Sequence, residues 1–360
     1  MRYYFLGQAA HYSRKERLSH TFAFGRKRDS KKLAEYLAKR YSGTAVLTKN
    51  GRSALALGLK NLLPKDSEVI VNGFTCYAVF EAIKAAGMKP VFADINKTDL
   101  NFTIETIKKV ITPKTKAIVF QNTLGNPVSM TAFEKFAKDY GLTIIEDLAH
   151  CVGLKYPDGR EAGTVGAATI LSFGKDKSID TISGGALIVR APLEKPIQAP
   201  SKAPKFADTF RARFYPLFAG ISRGLQHVKL GGAWLTLLRK IHFIERSADN
   251  KLDLTRRPNH FEAKLALKQL QNPPKMPLRE FYLVKNRDEV LKKLKKRGYF
   301  FDALWYEKPV SPIRYYNKVH FDEAACPVAT EVAAAIINLP THYNKAALEP
   351  AVKIIKEYTE

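Results

Sequence analysis

Three short segments of the chain hold residue types that can do chemistry together. Asn50-Gly51-Arg52-Ser53 joins an apolar run to a helical one, so the free backbone N–H groups at that helix start can hold a phosphate. Asp147 closes the apolar run at Leu142–Ile145, and His150 follows three residues on. Ser172-Phe173-Gly174-Lys175-Asp176-Lys177 follows another apolar run and leads to Gly184-Gly185. Singly, each has an ordinary explanation: a turn, a solvated strand end, a hydrogen-bonded histidine, a surface lysine. As a set they supply a phosphate cradle, a strand-end carboxylate and a lysine in a polar loop. Pyridoxal 5'-phosphate (PLP) requires that set: the carboxylate keeps the pyridine nitrogen protonated and the lysine amine bonds to the aldehyde carbon.

The surrounding elements position these groups. From about residue 30 to 190, short apolar runs alternate with longer amphipathic ones. Lys31–Arg40 reads as a helix with Leu33, Tyr36 and Leu37 on one face. Strands are expected at Ala45–Leu47, Glu68–Val71, Pro90–Ile95, Ala117–Phe120 and Leu142–Ile145, with helices between them. Such alternation implies an α/β fold with a mostly parallel central sheet and helices on both faces, where ligands bind at the carboxyl ends of strands. Ala168–Ser172 and Ala186–Val189 follow each other without a long helix, which suggests mixed pairing there.

Three regions are expected: a large domain over 1–195, a basic and aromatic helical excursion over 196–250, and a smaller α+β domain over 251–360. In the excursion, Phe206, Phe210, Phe214, Phe218 and Trp234 interleave with Arg211, Arg213, Arg223, Lys229, Arg239 and Lys240. The smaller domain begins near the helical run Phe261–Leu270, and its turns fall at Pro309, Pro312, Pro327 and Pro340.

The net charge of +25 suits polyanionic partners but does not choose among them. Cys76, Cys151 and Cys326 lie far apart with no metal-ligand spacing, so no metal site or disulfide scaffold is expected. With no signal-peptide pattern and no apolar run long enough to span a bilayer, the expected location is the cytoplasm.

The motifs carry a resemblance to the DegT family of PLP-dependent sugar aminotransferases, within the aspartate-aminotransferase-like fold (type I). It rests on Asn50–Leu55, Glu68–Thr75, Ala86–Ile95, Thr112–Ile118, Gly125-Asn126-Pro127 and Ile145–Gly153, in family order. The family lysine stands five residues after a serine and seven before a Gly-Gly pair. Lys177 meets both distances, from Ser172 and Gly184, and Lys175 meets neither.

The resemblance implies that Lys177 binds PLP and moves the substrate proton, that Asp147 pairs with the pyridinium, and that His150 sits at the ring. Ser172 and the Gly51-Arg52-Ser53 turn would hold the phosphate. Cys76, followed by Tyr77, stands where an aromatic residue usually stacks on the ring. Other departures are Arg52 for threonine, Asn122 for histidine and Ser183 for glutamate. A homodimer is implied, with Thr255 and Arg257 as candidates to reach the neighbouring subunit. The implied donor is glutamate, and the acceptor a nucleotide-linked keto-sugar for polysaccharide or lipopolysaccharide synthesis. Two alternatives compete: a dehydratase or lyase reaction with PLP, and a non-catalytic regulatory or binding protein using its basic surface. Relatives that dehydrate lose the lysine, and a retired site has little reason to keep Lys177 with Asp147. For the 206–246 stretch, the readings are a packed helical excursion or contact with an anionic membrane at its inner face. Nucleic acid is disfavoured, since no recognised nucleic-acid module accompanies the charge.

Overall fold

A computed structural model describes residues 4–7, 12–228, 230–241, 243–244, 251–301 and 304–359. Lys229 and the 245–250 part of the basic stretch therefore lie outside the described residues. Seven strands form the central sheet: β1 (Thr44–Thr48), β2 (Glu68–Asn72), β3 (Lys89–Ala93), β4 (Thr115–Phe120), β5 (Thr143–Asp147), β6 (Ala168–Ser172) and β7 (Gly185–Val189). Their spatial order is β1-β7-β6-β5-β4-β2-β3. Every pairing is parallel except those of β7, which runs antiparallel to both β1 and β6. The mixed pairing expected after Ala168 is this single reversed strand. Its amino end consequently lies at the same sheet edge as the carboxyl ends of the other six.

Both faces of the sheet are covered, which is why its strands read as nearly continuous apolar runs. Ile70, Ile118, Ile144, Leu171 and Ile188 point into one core, and Val69, Val71, Val119, Ile145, Ile170 and Leu187 into the other. The helices Lys27–Arg40 and His260–Leu270 pack in the first core through Leu33, Leu37, Ala263, Ala266 and Leu270. The helix read as opening the smaller domain thus packs in a core of the sheet. Conversely, Tyr4–Phe5 pairs with Tyr299–Phe300, and Leu6 joins a core formed by the C-terminal residues. Periodicity marked the apolar face of the Lys31–Arg40 run but not its partner helix, which lies about two hundred residues away.

Successive residues of a strand face opposite sides, so Glu146 and Asp147 part company at the end of β5. The fully buried Glu146 carboxylate accepts the Tyr156 hydroxyl at 2.6 Å and the N–H groups of Gly163, Val165 and Gly166 at 2.6–2.9 Å. Arg190 stands 3.3 Å away. This knot ties β5 to the loop before β6. Removing the carboxylate strands those donors and leaves Arg190 without its counter-charge. Glu146→Ala is expected to lower the unfolding free energy by about 3–5 kcal/mol, measured by urea titration.

Candidate active site

Five strand carboxyl ends and the amino end of β7 open into one cleft of about 810 Å³, counting its open mouth. Gly51 and Arg52 reach it after β1, Cys76 after β2, Gln121 after β4, Asp147 and His150 from β5, Ser172 and Lys177 from β6, and Ser183 before β7. Tyr306, from the C-terminal part of the chain, closes the wall.

At the cleft floor, Asn50 caps the helix Gly51–Leu62, its Oδ1 accepting the Ser53 N–H at 2.8 Å. The helix supplies no acceptor for the N–H groups of Gly51 and Arg52, and its positive end faces the cleft. A Cβ on Gly51 would come within 2.7 Å of the Ser172 Cβ, so only glycine lets this turn lie against the Ser172 hydroxyl. The Arg52 guanidinium, paired with Glu81, adds positive charge to the same wall. Backbone donors, a hydroxyl and a cation are the groups that hold a phosphate.

Lys177 and His150 meet beside this cradle. The Lys177 Nζ lies 3.0 Å from His150 Nε2 and 5.1 Å from the centre of the Trp305 ring. His150 Nδ1 accepts the Leu124 N–H at 3.2 Å, which assigns the ring proton of a neutral imidazole to Nε2. Burial, aided by Lys177 and Arg279, holds the imidazole pKa well below its usual value, so the ring is neutral. The Nε2 edge of the ring faces the Lys177 nitrogen and holds it at the cleft.

Asp147 lines the same cleft, with its Oδ1 accepting the Ala149 N–H at 2.9 Å. Burial pushes its carboxyl pKa up, against the opposing pull of that N–H and of Lys177. A buried carboxylate in this position favours a cationic partner. The cradle, the carboxylate and the amine fit the three ends of PLP.

Lys175, only two residues from Lys177, goes elsewhere. It is buried over the Tyr215 ring, 4.4 Å from the ring centre, and lines a neighbouring cleft. The chain turns between the two lysines at Asp176, with φ at 61°. Ile182 and Tyr306 likewise adopt left-handed backbone, at 73° and 63°. A β-branched residue there is strained, and such strain gathers where a site must be held in shape.

Two residues expected to touch the cofactor fall outside the cleft. The Ser53 N–H is committed to the Asn50 cap and its hydroxyl accepts the Asp253 N–H at 3.1 Å, so it secures the helix start from behind. The Tyr77 ring stacks on Tyr315 with centroids 4.5 Å apart and does not line the cleft. Cys76 does line it. Thr255 is exposed and bonded to Asp253, and Arg257 donates to the Pro258 carbonyl; neither lines the cleft.

Gln121, Trp305 and Tyr306 were not singled out from the sequence. Glu262 was another omission: fully buried, it accepts the hydroxyl of the cleft residue Ser183 at 2.5 Å and the Asn259 N–H at 2.8 Å. Its signal in the sequence is the Asn259…Glu262 capping pattern. Burial lifts its pKa from 4.5 to about 7, with the Ser183 and Asn259 hydrogen bonds opposing. A raised carboxyl pKa means that the folded state holds the proton more tightly. The associated stability is full below pH 4.5 and is lost as pH rises through 7. Relative to Glu262→Gln, the wild type is expected to lose about 3 kcal/mol of unfolding free energy between pH 4.5 and 8, read by urea titration.

Residues 20–198 match the DegT/DnrJ/EryC1/StrS aminotransferase family. An uncharacterized protein of Methanocaldococcus jannaschii is 39% identical over 154 residues, 42% of this chain and 40% of its own length. GDP-perosamine synthase of Escherichia coli O157:H7 is 37% identical over 145 residues, 40% of each chain. The chain thus spans about 40% of the length of these curated relatives. Helicobacter pylori PseC, an aminotransferase involved in the biosynthesis of pseudoaminic acid, superposes with a TM-score of 0.68 at 17% identity. That match covers 99% of this chain and 100% of PseC, so the whole chain shares the type I fold expected from the sequence.

Proposed function

We propose that the protein is a PLP-dependent aminotransferase that moves an amino group from glutamate to a keto-sugar, carried on a nucleotide, for polysaccharide or lipopolysaccharide synthesis. The observation that carries this reading is the meeting of Lys177, neutral His150 and Asp147 in one cleft, beside a helix start suited to phosphate. When bound, the cofactor supplies an electron sink that makes the substrate's Cα–H acidic.

The chain's own residues then have distinct tasks. Gly51, Arg52 and Ser172 anchor the phosphate and fix the depth of the ring. Asp147 holds the proton on the ring nitrogen. His150 keeps the Lys177 amine oriented in the cleft. Lys177, as a free amine, would carry the substrate's Cα proton across the amine nitrogen in a 1,3-shift. Tyr306 excludes water from one side, and the Trp305 ring backs the Lys177 amine. Retention of Lys177 favours amino transfer over dehydration. Other relatives support the substrate class, among them a UDP-N-acetyl-3-dehydro-glucosamine aminotransferase.

The test is to load the purified protein with PLP and add glutamate. A violet-absorbing band is expected, giving way to near-ultraviolet absorbance with one equivalent of 2-oxoglutarate released. A band that glutamate leaves unchanged would remove glutamate as donor; no band at all would remove the cofactor. We further propose a homodimer, to which Thr255 and Arg257 contribute across the interface. Light scattering should give about twice the chain mass of 40.4 kDa, and an active monomer would exclude this arrangement.

A further inference from the structure

The basic and aromatic excursion forms a lobe with an unusual outer surface. Its two long helices are Phe206–Leu225 and Gly231–Lys240, and the helix Arg14–Thr21 packs beside the first. Arg213 locks the lobe together by donating to the Thr21 and Ala23 carbonyls at 2.9 and 2.8 Å. Its inner side has a core of its own, including Ala212, Tyr215, Ala219, Leu235 and Leu238. The packed reading of this stretch therefore holds for the inner side.

The outer side differs. Thirteen large hydrophobic residues are exposed among the described residues, and ten of them lie within 12–28 and 205–241. Phe206, Phe210, Phe214 and Phe218 recur every fourth residue and touch in series, with centroids 4.6–6.4 Å apart. On the second helix, Leu230, Trp234, Leu237 and Ile241 recur at helical spacing, and Trp234 lies 6.3 Å from Phe218. Phe218 and Trp234, half-buried against the inner core, join the two stripes. Phe206 is 83% exposed, Leu237 50% and Ile241 58%. An apolar surface of this extent marks a contact site.

Charge decides what it contacts. The two segments carry thirteen Lys and Arg but only two acidic residues, Glu16 and Asp208. Asp208 is already committed to Lys49 at 2.9 Å. A second copy laid on this face would bring like charges together, whereas anionic headgroups complement them. Among the described residues no helix is long and apolar enough to cross a membrane, so the lobe would lie on a bilayer rather than through it. We propose that this face docks on an anionic phospholipid surface, with the aromatic and aliphatic stripe entering the headgroup boundary and the cations meeting lipid phosphates. The inference rests on the lobe's surface and is independent of the reaction assigned to the cleft.

The test is sedimentation of the full-length, PLP-loaded protein with phosphatidylglycerol vesicles and with phosphatidylcholine vesicles. Binding is expected only to phosphatidylglycerol, falling about tenfold or more between about 0.05 and 0.5 M salt. Two surface variants, Leu237→Ser with Ile241→Ser, and Lys205→Gln with Lys240→Gln and the half-buried Arg223→Gln, should each weaken binding about tenfold. Both should keep wild-type melting temperature and glutamate turnover. A wild type that stays in the supernatant with phosphatidylglycerol at low salt overturns the proposal, as does equal binding to both lipids. It also fails if the Leu237→Ser, Ile241→Ser variant binds vesicles normally but dissociates to a smaller species, because the face would then join copies of the chain.

Discussion

Lys177→Ala is expected to abolish the violet absorbance of the PLP-loaded protein and to lower glutamate turnover by about 1000-fold or more. The geometry leaves no substitute. Lys175 is the nearest lysine in sequence, but it faces the adjoining cleft over Tyr215 and is separated from Lys177 by the left-handed turn at Asp176. Lys175→Ala should keep the absorbance and most activity, while losing about 1 kcal/mol of stability with its ring contact. If exogenous methylamine restores part of the turnover of Lys177→Ala, the lost function is that of an amine base rather than of fold. Full activity in that variant would remove Lys177 from the mechanism.

Asp147→Asn should keep the shape of the site and remove its negative charge. Turnover is expected to fall at least about a hundredfold, because an amide cannot hold a protonated ring nitrogen by charge. Stability should move the other way. Burial disfavours the Asp147 charge, so the variant should melt at or above the wild-type temperature. Loss of turnover without loss of stability separates a functional carboxylate from a structural one. Its neighbour Glu146 is expected to show the opposite pattern, since its partners are the loop's own N–H groups and Arg190. Near-normal turnover of Asp147→Asn would show that the ring nitrogen needs no anion here.

The parts of the site legible in the sequence share a physical cause. Asn50, Asp147 and Ser172 follow or end strands, where a change from apolar run to polar loop marks the sheet edge. Parallel topology then brings those edges together, so order along the chain foretells proximity in space. Lys177 was separable from Lys175 only by the resemblance, through the family's serine and Gly-Gly distances, and the turn at Asp176 shows how two lysines so close in sequence enter different clefts.

Tyr306, which lines the cleft, and Trp305, which lies against Lys177, escaped because they sit in irregular backbone of the C-terminal part of the chain. No local period marks such residues. Gln121 follows β4 but lies in a buried polar network with Thr75 and Thr123, which only the fold brings together. Glu262 reads as a helix cap, and its bond to Ser183 spans 79 residues. Ser53 was placed in the phosphate cradle by adjacency, yet helix geometry turns its N–H back to the Asn50 cap. The basic stretch shows the same limit: helical spacing was visible, but which side packs inward depends on the Arg14–Thr21 helix beside it.

The most direct test of the central claim is to reduce the PLP-loaded protein with borohydride, digest it, and locate the added mass by peptide mass spectrometry. Lys177 is expected to carry the phosphopyridoxyl group, with Lys175 unmodified. A label on Lys175, or no labelled lysine in a protein that has bound PLP, would contradict the site described here.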